Sequence, residues 1–177
     1  MNIGIVSARY AKALLKFAVQ HQQTDEVYEG MTTLKESFQK VPKLKATLAD
    51  PVLTDDKKFR LLQVASGQSQ STCLERFFRL VLEKSRVDIM PFMAQSYIDA
   101  YRVQKNLIQC QLTVPTQLSD STIGRIKAIV EGKTKKEVEF AITVDPSIIG
   151  GFILEYDAKY LDASIAGRLR AIRKQIV

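Results

Sequence analysis

The sequence predicts an α+β protein in which an N-terminal six-helix bundle precedes a small α/β domain with a mixed sheet and two helices. Up to Lys105, apolar residues recur every three or four positions, as on one face of an α-helix. From Asn106 onward they alternate with polar residues, as in a strand with one solvated face. This change of period places two domains at residues 1–105 and 106–177.

The first helix is predicted to carry one apolar stripe, with Ser7 as its N-cap. Leu15 and Val19 fall opposite that stripe, which implies either burial between neighbouring helices or a second partner. The stripe consists of Tyr10, Ala13, Leu14, Phe17, Ala18 and His21.

Polar and proline signals predict where the other five helices begin. The fifth helix has a clear stripe at Leu74–Leu82, and Leu80 points about 130° away from its centre at 100° per residue. Leu80 is therefore predicted to face outward. The start signals are Thr24, Pro42, Thr54, the capping-box pattern of Thr72 and Glu75, and Asp88 with Pro91.

The second domain begins with a strand around Ile108–Val114 and has another around Val138–Val144. Between them, Ser119 is expected to cap a helix that Gly132 closes.

The stretch from Asp145 to Leu169 contains two adjacent glycines inside an apolar, strand-like run. Gly150 and Gly151 there predict a bulge or a close approach by another backbone. A tight turn at Asp157-Ala158 completes a hairpin. Either Asp162 or Ser164 can cap the closing helix, whose stripe consists of Ile165, Leu169, Ile172 and Ile176.

This stretch resembles the C-terminal signature of the delta subunits of bacterial ATP synthases, whose mitochondrial counterpart is the oligomycin sensitivity-conferring protein. That signature reads roughly D-x-S-I-I-G-G-F, a short hairpin, and then I-D-G-S-V-R-G-R-L. Near the start, RYAKALLKFA resembles the family's N-terminal pattern. Ala163 and Ala166 stand where the family usually has glycine and arginine. The matches are Asp145, Ser147, Ile148, Ile149, Gly150, Gly151, Phe152, Asp162, Ser164, Gly167, Arg168 and Leu169.

The resemblance implies a non-catalytic stator subunit of the ATP synthase peripheral stalk. It would sit on the cytoplasmic face of the bacterial inner membrane, attached only through the complex and without a cofactor. The helical bundle would grip the N-terminal helix of one alpha subunit, and the tail would hold the ends of the b-subunit dimer.

Six residues are candidates for these contacts. By the resemblance, Tyr10, Ala13 and Leu80 lie where the alpha-subunit helix is received. Periodicity agrees for Leu80 but places Tyr10 and Ala13 on the inward stripe. The candidates in the tail are Gly150, Gly151 and Arg168.

The net charge of +7 permits nucleic acid, an anionic membrane surface or an acidic protein as partner. A basic nucleic-acid-binding module is therefore the alternative, although no concentrated basic patch is interleaved with aromatic residues. The cations of the last helix fit either a solvated face or a basic surface for an acidic partner helix. They are Arg168, Arg170, Arg173 and Lys174.

A small enzyme is the third hypothesis, and the sequence gives it little support. His21 is the only histidine, so neither a Ser-His-Asp nor a Cys-His constellation has a second candidate. Cys73 and Cys110 are expected to be reduced core residues and form no metal set. No apolar run approaches the ~18 residues of a membrane span, so a soluble, cytoplasmic protein is expected.

Overall fold

A computed structural model describes residues 2–156 and 159–176. Over this part of the chain it confirms the α+β class, with eight α-helices and one four-stranded mixed sheet. The chain divides into two compact units, Met1–Val103 and Gln104–Val177. No helix in the described ranges is both long enough and apolar enough to cross a membrane.

The N-terminal unit is built from α-helices. A short 3₁₀ helix at Val87–Ile89 leads into the last of them. The helices are α1 (Ile3–Gln20), α2 (Thr24–Lys40), α3 (Pro42–Ala49), α4 (Asp55–Ala65), α5 (Thr72–Glu83) and α6 (Met90–Lys105).

The core of this unit is centred on α5, whose predicted stripe is buried throughout. Phe78 and Val81 are almost fully inaccessible to solvent, and Cys73 beside them is a free, buried thiol, as predicted. Two tyrosines tie α6 to the start of α2. The Tyr97 hydroxyl donates to the Thr24 carbonyl at 3.2 Å, and the Tyr101 hydroxyl donates to Asp25 at 2.8 Å.

The predicted cap of α1 is wrong, because Ser7 lies inside the helix. Its hydroxyl donates to the carbonyl of Ile3 one turn earlier, at 2.8 Å, so it does not cap a later start. The buried face is also rotated from the predicted stripe. Ala11 and Leu15 are buried, whereas Ala13 and His21 are exposed.

The predicted capping box of α5 is also wrong. The cap is Ser71, whose hydroxyl accepts from the backbone N–H of Leu74 at 3.4 Å. The carboxylate of Glu75, which the box would need, instead accepts from the side chain of Gln63 at 3.2 Å. The carbonyl oxygen of the Gln23 side chain adds a long-range cap, because it accepts from Ser71, Thr72 and the backbone of Cys73.

The C-terminal unit is a mixed sheet with strand order β2-β1-β3-β4. β1 pairs with β2 in parallel and with β3 antiparallel, and β3 pairs antiparallel with β4. A 3₁₀ helix at Pro146–Ile148 precedes β3. The elements are β1 (Leu107–Val114), α7 (Asp120–Thr134), β2 (Glu137–Val144), β3 (Ile153–Tyr156), β4 (Lys159–Asp162) and α8 (Ile165–Ile176).

Alternation along β1 gives this unit its core, because every second residue of that strand is buried. Val130 of α7 and Leu154 of β3 belong to the same core. Gly132 does not close α7, contrary to the sequence prediction. The helix continues to Thr134 and ends at Lys135, which takes a left-handed conformation with φ 56°. The turn predicted at Asp157-Ala158 and the side chains of residues 174–176 lie outside the described part.

We expect a chain ending at Lys105 to be soluble, helical and cooperative in thermal unfolding. The motivation is that the N-terminal unit has its own core, and about 100 residues can support a modest independent one. Circular dichroism during heating measures this directly. Broad, non-cooperative melting would show that the unit depends on the tail.

Candidate functional site

A groove of about 410 Å³ lies on the surface of the N-terminal unit between α1 and α5. Its walls are predominantly apolar and aromatic, as expected of a surface that receives an apolar partner. The lining residues are Arg9, Tyr10, Ala13, Leu14 and Phe17 from α1, and Cys73, Arg76, Phe77 and Leu80 from α5.

One end of the groove is formed by Tyr10 and Phe77. Their rings meet edge to face, with centroids 6.3 Å apart and an interplanar angle of 73°. Such pairs contribute about 0.5–1.5 kcal/mol beyond the area they bury. Arg86 fixes the Tyr10 ring, because its Nη1 donates to the hydroxyl at 3.1 Å and its guanidinium lies 5.4 Å from the ring centre.

The other end of the groove is formed around Phe17. The guanidinium of Arg76 lies 5.8 Å from the centre of its ring, and His21 packs edge to face against it at 4.4 Å. Phe17 is later in α1 than Tyr10, whereas Arg76 precedes Arg86. The two helices therefore run antiparallel along the groove.

The structure brings the three predicted residues of the N-terminal unit together on this groove. Leu80 is 43% exposed and faces outward, as its periodicity predicted. Ala13 is exposed and Tyr10 is half-buried. The inward placement of Ala13 from periodicity is therefore wrong. The position of Ala13 that the resemblance implies, on the surface that receives a partner helix, is compatible with its place in the lining of the groove.

Sequence reasoning places only Tyr10, Ala13 and Leu80 of the lining at the partner site, and it predicts Leu14, Phe17, Cys73 and Phe77 as core residues. It assigns no role to the two remaining members, Arg9 and Arg76. Both are exposed and immediately precede an aromatic residue of the groove, Tyr10 and Phe77 respectively. An arginine beside an aromatic residue at the edge of a helix face was the available signal. It is weak, because such pairs are common on solvated helices.

In the C-terminal unit, Gly150 and Gly151 lie between the 3₁₀ helix and β3. The prediction that they sit within a strand is therefore wrong, but the close backbone approach exists. Gly151 has φ +75°, and a Cβ there would collide with the carbonyl of Ala163. The backbone N–H of Ile165 donates to the Gly150 carbonyl at 3.0 Å. The approaching backbone thus belongs to the chain itself.

The start of α8 is held by an aspartate and a serine that act together. Of the two residues predicted to cap α8, Ser164 is the one that does so, because its hydroxyl oxygen accepts from the backbone N–H of Gly167 at 2.9 Å. Asp162 accepts from the backbone N–H of Ser164 at 2.9 Å and from its hydroxyl. The hydroxyl and backbone N–H of Ser164 lower the pKa of the Asp162 carboxyl. A Cβ at Gly167 would lie 2.6 Å from the carboxyl carbon of Asp162.

Beyond this first turn, α8 presents an exposed surface. The side chain of Arg168 is exposed, and its backbone N–H donates to the Ser164 carbonyl at 3.2 Å. The predicted apolar stripe is not buried within the described part of the unit. Its members Ile165, Leu169 and Ile172 are 48%, 54% and 53% exposed.

The described residues contain no group of three or more histidine, cysteine, aspartate or glutamate side chains that could hold a metal ion. His21 is exposed and packs on the ring of Phe17. The buried Cys73 thiol of the groove has a pKa raised by desolvation. A raised pKa disfavours the reactive thiolate. The apolar lining of the groove is suited to contact with an apolar surface.

Comparison with known proteins covers almost the whole chain. A family model described as ATP synthase delta (OSCP) subunit matches residues 6–176. The chain is 40% identical over 178 residues to ATP synthase subunit delta of Phocaeicola vulgatus, covering 100% of this chain and 96% of the relative. It is 36% identical to ATP synthase subunit delta of Parabacteroides distasonis, covering 98% and 96%.

A similar fold occurs in a solved structure. A chain in the cryo-EM structure of the Toxoplasma gondii mitochondrial ATP synthase hexamer matches with a TM-score of 0.64 and 16% identity, covering 96% of both chains. At that identity the match supports the fold alone.

We expect Gly151→Ala to lower the free energy of unfolding by more than about 1 kcal/mol, because φ +75° is unfavourable for alanine and its Cβ meets the Ala163 carbonyl. Gly124→Ala is the matched control. It lies within α7, has no atom within 4 Å of the added Cβ, and is expected to stabilise by about 0.5–1 kcal/mol. Urea unfolding of the full chain measures both. Equal stability of the two variants would contradict the packing role of Gly151.

Proposed function

The chain belongs to the ATP synthase delta (OSCP) subunit family, and from this premise we propose how its two units divide the work of a stator. It is a non-catalytic subunit of the peripheral stalk of ATP synthase. The N-terminal unit binds the N-terminal helix of an alpha subunit in the catalytic head. The C-terminal unit holds the ends of the b-subunit dimer, so that ion flow is coupled to ATP synthesis.

The observation that carries the first assignment is the open apolar groove between α1 and α5. An amphipathic helix binds such a groove by placing a few apolar anchors into it. Ala13 is small and leaves space at the surface, and Leu80 offers an exposed apolar side chain on the opposite wall. Tyr10 contributes an aromatic ring that is already held in place by Arg86.

The second assignment is supported by the exposed face of α8. The cap formed by Asp162 and Ser164 fixes the first turn of this helix, and the glycines allow the start of the helix to lie against the segment between the 3₁₀ helix and β3. Beyond the turn, an apolar stripe remains exposed beside arginines such as Arg168. A fixed helix with an unburied apolar stripe suits a partner helix.

The rest of the proposal concerns how the protein is placed in the complex. The six helices act as one rigid bundle on the catalytic head. Residues 1–105 and 106–177 act as separate binding domains. The chain is peripheral to the bacterial inner membrane on its cytoplasmic face and reaches it only through the complex. Nothing in the family or among the relatives supports the nucleic-acid alternative.

We expect Leu80→Asp to weaken binding of an alpha-subunit N-terminal peptide more than tenfold, or about 1.4 kcal/mol, because a charge replaces an apolar contact. The melting temperature should change little, since Leu80 is 43% exposed. Isothermal titration calorimetry of the full chain gives the affinity.

Val64→Asp is the matched control for that experiment. Val64 is an exposed valine of α4, 62% accessible, and does not line the groove. The Val64→Asp substitution should leave the affinity for the alpha-subunit peptide unchanged. If Leu80→Asp unfolds the protein, or binds the peptide as well as Val64→Asp does, the groove is not the alpha-subunit site.

We expect deletion of residues 106–177 to leave alpha-peptide binding intact and to abolish retention of a soluble b-subunit fragment. Leu169→Asp should do the same in the full chain, because it places a charge on the exposed stripe of α8 without touching the core. Parallel pull-downs with the two probes measure both activities. If the shortened chain retained the b fragment, the stalk site would not lie in residues 106–177.

A further inference from the structure

The groove between α1 and α5 is apolar along its length but carries positive charge on its rim. Arg9 and Arg76 are the charged members of its lining, and no acidic residue is among the nine lining residues. Both arginines are exposed. An apolar occupant would therefore lie beside two guanidinium groups.

The carboxylates of α5 that could neutralise this rim are directed elsewhere. Glu75 accepts from the Gln63 side chain at 3.2 Å, and Glu83 pairs with Lys84 at 2.8 Å. Among the residues that the structure describes, neither Arg9 nor Arg76 has an acidic partner. Their charge is thus available to a bound molecule.

The order of residues along α1, together with the contact of Arg76 with Phe17, places the two arginines toward opposite ends of the groove. Arg9 is next to Tyr10, and Arg76 lies over the ring of Phe17, seven residues further along α1. Seven residues of α-helix span about 10.5 Å, or two turns. The apolar floor between the ends includes Ala13 and Leu14.

That the occupant is a helix rests on the proposed function. We propose that this groove selects an amphipathic helix whose apolar face has an acidic side chain at each end, about two turns apart. The apolar anchors between them enter the floor. Each carboxylate pairs with Arg9 or Arg76. The arginines therefore determine which apolar helices the groove accepts.

The geometry favours arginine for this task. The Arg76 guanidinium is already placed against an aromatic ring, so less side-chain freedom is lost when it meets a carboxylate. Removal of water by the apolar floor strengthens a charged contact at its edge. Since both groups stay partly solvated, each pair should contribute modestly to affinity and more to selectivity.

The test compares two synthetic amphipathic helices of about 18 residues, long enough to hold helical structure. Both carry leucine anchors, and they differ only at two positions seven residues apart, which are Glu in one peptide and Gln in its twin. The full chain should bind the Glu peptide about fivefold more tightly than the Gln twin at low salt, equivalent to about 1 kcal/mol. Added salt should remove the difference.

Variants of the full chain assign that preference to the two arginines. Arg9→Gln with Arg76→Gln should bind both peptides equally, whereas Lys45→Gln, an exposed charge on α3 away from the groove, should keep the preference. Arg76→Glu should instead prefer a peptide with Lys at the matching position. A purely structural role for Arg76 would not give this reversal.

Equal affinity for the two peptides, no binding of either, or a preference that survives the double variant would each overturn the proposal. The alpha-subunit peptide is measured in parallel. If it fails to bind while the Glu peptide binds through the arginines, the proposed function fails and the selectivity of the groove stands. If it binds equally well to the double variant, the alpha-subunit site stands and the selectivity fails.

Discussion

The edge-to-face contact between Tyr10 and Phe77 is the interaction on which the groove of the N-terminal unit depends. It joins the two helices at the surface, above a core in which Phe78 and Leu14 are buried. Arg86 holds the Tyr10 ring from behind, so the aromatic wall exists before any partner arrives. Between the two ends of the groove, the small side chain of Ala13 fills little space. The helices are therefore held together without closing the groove, and a preformed groove costs a partner little reorganisation.

In the C-terminal unit, two glycines leave space for other groups of the same chain. Gly151 admits the Ala163 carbonyl, and Gly167 admits the carboxylate of Asp162. Several residues of the family signature thus meet in one small structure that fixes the start of α8. The hydrogen-bond needs of that turn are met within the chain, and the apolar stripe of the helix stays exposed. This explains how a motif can be specific to a family without containing catalytic chemistry.

The sequence predicted the elements because their periods are strong, and it failed where distant residues decide local structure. The alternation along β1 and the stripe of α5 are set by burial on one face, which a single chain records directly. The additional hydrogen bonds at the start of α5 could not be predicted locally, because Gln23 and Gln63 supply them from other parts of the chain. The face of α1 was ambiguous because apolar residues surround much of that helix.

The sequence also predicted the groove and the glycine contacts only in part. Leu80 stood out because it is apolar on the polar side of a well-defined stripe, and Tyr10 and Ala13 entered through resemblance to a family. Arg9 and Arg76 had only a weak signal in the sequence, since their significance comes from the groove that two distant helices form together. The glycine pair indicated a close approach, but only the fold shows that Ala163 is what approaches.

We propose above that the groove between α1 and α5 holds the catalytic head. Photo-cross-linking in the assembled ATP synthase tests it most directly, with a benzophenone amino acid placed at Ala13. Ala13 is exposed and lines the groove, so the probe disturbs no core contact. We expect an adduct with the N-terminal segment of an alpha subunit, and none from the same probe at Lys45 on α3. Adducts only with other subunits, or the same alpha adduct from both positions, would contradict it.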